Sequence, residues 1–371
     1  MADILENNWQ VVENKFNLNS WKIRTLSAIK NCRTASLGGH IDQCSSCGHL
    51  QMSYNSCRNR HCPKCQGHKK EEWIQARKQE LLPVVYFHVV FTLPESINPL
   101  ALQHPRMVYS SLFKASWQTL DAFSKDKKWV NAQMGMIAIL HTWGQNLSLH
   151  PHLHCIVPGG GITPQGKWRT AKAKNGKFLF PVKAMSKVFR AKYCALLKKS
   201  KPKKYQKIKR SLWQKPWVVY AKRPLGGPEQ VVNYLGRYTH KIAISNHRLQ
   251  SISNQEVVFS YKDYKQAAKK KKMSLSPQEF IRRFAQHILP KRFVRIRHYG
   301  ILSSYWKKEK LKDLQVKLAY QPEEKPIKTK LKQCPRCKKS TLEVVLNFDA
   351  RGPPKLWKEK LKNIKRTKTV S

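Results

Sequence analysis

The chain has 371 residues, with 72 Lys and Arg against 21 Asp and Glu, and a formal charge of +51. A hydrophobic share of 41% allows a substantial core, so this charge belongs to a folded protein of roughly two or three domains and not to a disordered tail. The surplus points to a polyanionic partner, nucleic acid first, because neither an amphipathic basic helix nor a lipidation signal marks a membrane surface.

The longest apolar run, Val84 to Leu93, is broken by His88 and falls short of the about 20 residues a spanning helix needs. Met1 to Asn8 carries Asp3 and Glu6 and lacks the layout of a secretory signal, so the cytoplasm is the expected compartment and no membrane partner is expected. Cysteines stay reduced there. Ten of them, mostly grouped beside Lys, Arg and His, read as metal ligands and not as disulfides.

Residues 1–80 hold six of the ten cysteines between helical stretches at Trp21 to Asn31 and Lys69 to Leu82, which reads as a small metal-stapled module. From Val84 the β-branched and aromatic run to Leu93 suits a buried strand ended by Pro94, and a second domain is expected over 84–300. Arg106 to Phe123 has helical spacing, with Val108, Leu112, Trp117, Leu120 and Phe123 inward. Gly135 to Trp143 and His152 to Val157 read as strands joined by a hairpin connection, the second ending at Pro158-Gly159-Gly160-Gly161. A helix over Val182 to Leu197, a strand over Trp217 to Tyr220 and a helix over Pro228 to Tyr238 follow. The order β, α, β, β, α, β, α favours an α+β sandwich over a doubly wound parallel sheet. Lys198 to Lys215, which includes Tyr205 and Trp213, and Lys265 to Lys272 read as polybasic loops. A helix over Gln278 to Ile288 and a basic strand over Arg292 to Tyr299 lead into a basic C-terminal region, 301–371, with one Cys-x2-Cys, Cys334 and Cys337.

Cys44-x2-Cys47 and Cys62-x2-Cys65, fourteen residues apart, have the spacing of a tetrahedral four-thiolate zinc site. Cys32, His40, Cys57 and His61 would make a second, mixed zinc site if folding gathers them. Otherwise the two cysteines are small buried residues and the histidines meet phosphates. The basic stretch holding Arg58 and Arg60 is expected to touch DNA. The partner of Cys334 and Cys337 stays open between borrowed ligands and a metal-free turn.

His152-Leu153-His154 sits on a strand, where residues two apart share a face, so the two imidazoles would project together and could bind one ion. Downstream, Tyr234 and Tyr238 lie four apart on an expected helix and present their hydroxyls on one face. A phenol with an ordinary pKa of about 10 attacks a phosphate only if something polarises it, and an ion held by paired histidines would do so.

Taken together, several stretches resemble one family. They are Tyr54 to Cys65, Val90-Phe91-Thr92-Leu93-Pro94, Trp143-Gly144-Gln145-Asn146, the His152-Leu153-His154 strand with its glycine exit, and Tyr234-Leu235-Gly236-Arg237-Tyr238-Thr239-His240. In this order they resemble the two-tyrosine HUH transposases of rolling-circle insertion sequences, the insertion sequence 91 group. The resemblance implies an HUH nuclease domain with a central antiparallel sheet and packed helices, after a zinc-binding module. It implies Mg²⁺ or Mn²⁺ on His152 and His154, single-stranded DNA at transposon ends and target as partner, and nicking and rejoining through a 5′-phosphotyrosine on Tyr234 or Tyr238, with no nucleotide cofactor. The protein would then work in a bacterial cytoplasm, associated with the nucleoid through DNA. A third polar ligand is expected from Gln145, then His150, then His240, and Arg237 is a candidate backbone clamp. The competing reading is a non-catalytic zinc-finger nucleic-acid-binding protein, which leaves the histidine and tyrosine pairs without a role.

Overall fold

The computed structural model describes residues 1–65, 73, 74, 76, 77, 79–171, 179–225, 230, 231, 236, 241–319, 333–359 and 361. Helices Ala2–Asn7, Trp9–Asn14 and Ser20–Lys30 precede a hairpin of β1 (Gly39–Cys44) and β2 (Leu50–Tyr54). The Asn19 side chain caps the third helix by accepting from the Lys22 amide, which satisfies one of the donors a helix start leaves unpaired.

The central sheet grows from β3 (Tyr86–Thr92), β4 (Gly135–Trp143) and β5 (Leu149–Pro158), followed by a small ribbon of β6 (Gly160–Ile162) and β7 (Trp168–Thr170) and then β8 (Val219–Leu225). A second sheet consists of β9 (Leu249–Ile252), β10 (Val257–Asp263) and β11 (Lys269–Leu275). With β12 (Ile296–Gly300) the central sheet has five strands in the order β12-β4-β5-β3-β8, every neighbouring pair antiparallel. The fold is α+β, as the order of elements implies. Among the described residues no helix is long and apolar enough to cross a membrane.

Every residue of β4 is buried, because both faces of the sheet are covered. One face sets Phe91, Ala138, Leu140, Leu153 and Cys155 against helices Pro105–Lys125 and Val182–Ser200. The opposite face carries Tyr86, Ile137, Ile139 and Ile156, packed with Ile301, Leu311 and Leu314. Period-2 alternation assigns His88, His141, His152 and His154 to this second face, beyond the end of its apolar patch.

Two segments expected as polybasic loops are ordered. Pro202–Gln214 is a helix, with Pro202 at its first turn, where a missing N–H costs nothing. Lys269–Leu275 is a strand paired along its length with β10. Tyr205 is buried against the core and anchors its helix, whereas Trp213 is partly exposed with the Arg190 guanidinium 4.4 Å from its ring centroid. The segment expected as a basic C-terminal region contributes helix Ser304–Lys317 and β13 (Leu342–Phe348), which returns to pair with β1.

Gly300 ends β12 opposite Gly135 at φ +56°, and an added Cβ would collide with the Met134 carbonyl oxygen. Gly300→Ala should lower stability by more than about 1 kcal/mol, seen as a lower urea midpoint at unchanged slope. A midpoint equal to the wild type would contradict this packing.

Candidate metal and nuclease site

The β4–β5 hairpin builds the site through one irregularity. Trp143 pairs with Leu149 but His141 pairs with His152, so His150 and Pro151 together oppose the single residue Thr142. This is a β-bulge, and Pro151, which has no N–H to give to a ladder, is a residue such a position accepts. A one-residue slip exchanges the faces of a strand. Here it places His152 and His154 on the face that carries His141.

The hairpin turn is held from outside. Arg248 donates to the Gln145 carbonyl, Arg283 to the Asn146 carbonyl at 3.3 Å, and the buried His287 to the Leu147 carbonyl at 3.1 Å.

His152 Nε2 and His154 Nε2 lie 3.2 Å apart, and the His141 ring centroid is 4.6 Å from that of His154. All three residues offer a ring nitrogen within 4.8 Å of the others. His152 Nδ1 sits 2.7 Å from the His150 carbonyl oxygen and must donate to it, which leaves the Nε2 lone pair facing the cluster. His154 Nδ1 lies 2.9 Å from His88 Nε2, an arrangement that frees its Nε2 in the same way when the Nδ1–H donates. Burial pushes the His152 imidazole down to about 3, against the hydrogen bond to the His150 carbonyl, and the charge of Lys241 pushes it down further. His154 is held well below the ordinary histidine range, first by burial and then by His141 and His152. These are neutral donors at neutral pH, the state that binds a metal.

Gln145, the expected third ligand, lies in the turn beyond the end of β4, and His141 is the residue whose ring nitrogen lies with those of His152 and His154. The reason is geometric: the turn consumes the residues between Trp143 and Leu149, so the residue facing His152 is found further back along β4. His150 is exposed and contributes its carbonyl. Tyr234, Arg237, Tyr238 and His240 lie outside the described residues. On either side of them, Val231 is buried with Tyr86, Ile137, Ile139 and Ile156 on the histidine face, and the charge of Lys241 reaches His152 and His154.

The cysteines form two groups whose membership differs from the expected one. Cys62 and Cys65 join Cys32 and Cys57, while Cys44 and Cys47 meet Cys334 and Cys337. The knuckles separate because Cys44 ends β1, whose outer neighbour is β13, and the C-terminal pair arrives with that strand. In the first group the Cys32 and Cys65 sulfurs are 3.4 Å apart and those of Cys57 and Cys65 3.6 Å, and the Cys57 amide donates to the Cys32 sulfur. A tetrahedron of sulfurs at about 2.3 Å from zinc has edges of about 3.8 Å, so the group fits that ion. Burial pushes the Cys32 thiol up to about 11, so taking up an ion there must release protons.

His61, expected as a possible ligand, turns away: its Nε2 accepts from the Leu289 amide at 3.3 Å, and burial holds it well below its ordinary range. His40 pairs instead with Asn55 and Asp42. Arg60, expected on DNA, is spent inside the protein, donating to the carbonyls of Pro290 and Phe293. Arg58 is exposed, in an irregular stretch at φ +50°.

Comparisons with known proteins point to transposases. Residues 135–310 match the family model described as "Putative transposase", and residues 4–93 the one described as "Transposase zinc-binding domain". "Putative transposase y4qJ" of Sinorhizobium fredii is 41% identical over 367 residues, covering 90% of this chain and 92% of its own length. The chain belongs to the insertion sequence 91 family of transposases. A further family relative, "Transposase for insertion sequence element IS801" of Pseudomonas savastanoi pv. phaseolicola, is 27% identical over 310 residues, 80% of this chain and 74% of that protein. Among solved structures, a conjugative relaxase TrwC in complex with oriT DNA, in a metal-bound form, superposes with a TM-score of 0.27 at 12% identity, over 64% of this chain and 74% of that one. A superposition so loose carries no argument.

For this transposase, His141→Ala should weaken Mn²⁺ binding at least about tenfold, while Gln145→Ala leaves it unchanged. Because burial depresses both imidazoles, His152 to about 3 and His154 well below the ordinary histidine range, protons should not compete for these two ligands near neutrality, and affinity should hold between pH 8 and pH 6. Calorimetric titration reads both. An affinity that falls along an ordinary imidazole titration near pH 6.5 would contradict the site.

Proposed function

We propose that this transposase nicks and rejoins single-stranded DNA through a 5′-phosphotyrosine link on Tyr234 and Tyr238, with His141, His152 and His154 holding Mg²⁺ or Mn²⁺. The observation that carries the reading is the convergence of three imidazoles, two of them held neutral by burial, on the sheet face to which Val231 and Lys241, the described neighbours of the tyrosine segment, also belong. When bound, the divalent ion would polarise the scissile phosphate.

The protein's own groups do the rest. A tyrosine hydroxyl attacks phosphorus; the new bond joins the phenolic oxygen to the 5′ phosphate, the bond from phosphorus to the 3′ oxygen breaks, and the phenol's proton is balanced by the one gained on the 3′-hydroxyl. Attack by a 3′-hydroxyl on the link reverses these changes, so rejoining needs no ATP. Two tyrosines allow two successive transfers. Lys241 adds positive charge beside the imidazoles, where a phosphate would sit. An all-imidazole set of His141, His152 and His154 would hold Mg²⁺ only loosely and would depend on the DNA phosphate for tighter binding.

In this reading Cys32, Cys57, Cys62 and Cys65 hold zinc in the N-terminal module. Exposed Arg58 and the basic surfaces of helix Pro202–Gln214 and strand β11 grip the DNA, as a charge of +51 suits. Arg237 is a further candidate for the backbone.

Tyr234→Phe combined with Tyr238→Phe should abolish the covalent adduct to single-stranded DNA, read as a band that survives denaturing electrophoresis, while leaving DNA affinity within about twofold of the wild type. An adduct surviving in the double variant would remove the tyrosines from the mechanism. No adduct from the wild type with any divalent ion would favour a binding protein without catalysis.

A further inference from the structure

We propose that Cys44, Cys47, Cys334 and Cys337 form a second zinc site, assembled from the two ends of the chain, that clasps strand β13 to the N-terminal module. Cys334 and Cys337 lie outside both stretches that match a family model, residues 4–93 and 135–310.

The four sulfurs lie within 4.8 Å of one another, with Cys44 and Cys337 at 3.6 Å and Cys47 and Cys334 at 3.7 Å. These separations are far beyond the about 2.05 Å of a disulfide and close to the about 3.8 Å edge of a zinc tetrathiolate.

The two Cys-x2-Cys turns are built alike although they are 287 or more residues apart in sequence. In the first, Gly48 follows Cys47 at φ +68° and its amide donates to the Cys44 carbonyl at 3.0 Å; in the second, Lys338 follows Cys337 at φ +55° and its amide donates to the Cys334 carbonyl at 3.0 Å. A lysine in the left-handed region is uncommon and needs a reason. Matching the glycine knuckle opposite supplies one, since both turns then present two sulfurs to the same point.

Backbone amides aim at the sulfurs as they do at thiolates: those of Arg336 and Cys337 at Cys334, those of Lys339 and Ser340 at Cys337, and that of His49 at Cys47. Simple packing does not account for the group, because Cys47 is exposed and Cys337 is only half-buried. The surroundings are set for it as well. Ser45 and Ser340 hydrogen-bond across the two turns at 2.6 Å, and Cys44 pairs with Leu342 where β1 meets β13. Four soft thiolates in a closed tetrahedron select zinc, in a structural and not a catalytic role.

The test is the zinc content of the full chain purified with and without Cys334→Ser and Cys337→Ser. The double variant should lose one zinc equivalent per chain, and protease should release the segment carrying β13 at least about tenfold faster. Unchanged zinc content in the double variant overturns the proposal. Should the variant fold poorly, cadmium-113 resonance of the unmodified chain decides: two signals in the four-sulfur range are expected, and one overturns it. Neither readout involves the tyrosines, so a chain that holds this zinc and forms no DNA adduct would fail the strand-transfer reading alone.

Discussion

The bulge at His150 and Pro151 is the feature on which the rest of the candidate site depends. Were β4 and β5 paired in one continuous register from Trp143 and Leu149, His141 would face Pro151, and the two downstream histidines would point into the helix-covered core. The extra residue turns the alternation over. Leu153, Cys155 and Val157 then enter the core beneath helices Pro105–Lys125 and Val182–Ser200, and the imidazoles emerge on the opposite face. Arg248, Arg283 and His287, each bonded to a carbonyl of the hairpin turn, hold the end of the hairpin where the slip occurs.

That anchoring ties the site to the remainder of the chain. Helix Pro277–Gln286 lies in one apolar cluster with Trp143 and Leu147 of the hairpin and with Ile4, Leu5, Leu26 and Ile29 of the N-terminal helices. Arg60 and His61 add hydrogen bonds from the cysteine-rich segment to Pro290, Phe293 and Leu289. The zinc-binding domain and the histidine sheet are therefore joined by packed residues, and a grip on DNA by one would be registered to the other.

Much of this was legible in local pattern. Strand Gly135–Trp143 has the bounds its apolar run predicts, because glycines punctuate that run, and the shared face of His152 and His154 follows from strand periodicity alone. What escaped depended on pairing between distant or irregular segments. The approach of His141 to the histidine pair depends on the bulge, which leaves no mark in spacing, so Gln145 is what sequence position alone offers as a third ligand. The two Cys-x2-Cys pairs nearest in sequence looked like one site, but β13, from the far end of the chain, pairs with β1 and brings its own cysteines to Cys44 and Cys47. Arg60 reads as a DNA contact from its charge, whereas its guanidinium donates to the Pro290 and Phe293 carbonyls, partners that charge in sequence does not reveal.

Pulsed electron paramagnetic resonance of the Mn²⁺-loaded chain tests the central claim most directly, because it registers the nitrogen nuclei bonded to the ion. Couplings from three imidazole nitrogens belong to an ion seated among His141, His152 and His154. A spectrum showing only water and no nitrogen coupling would contradict that seat, and with it the account of how this fold readies a phosphodiester for attack.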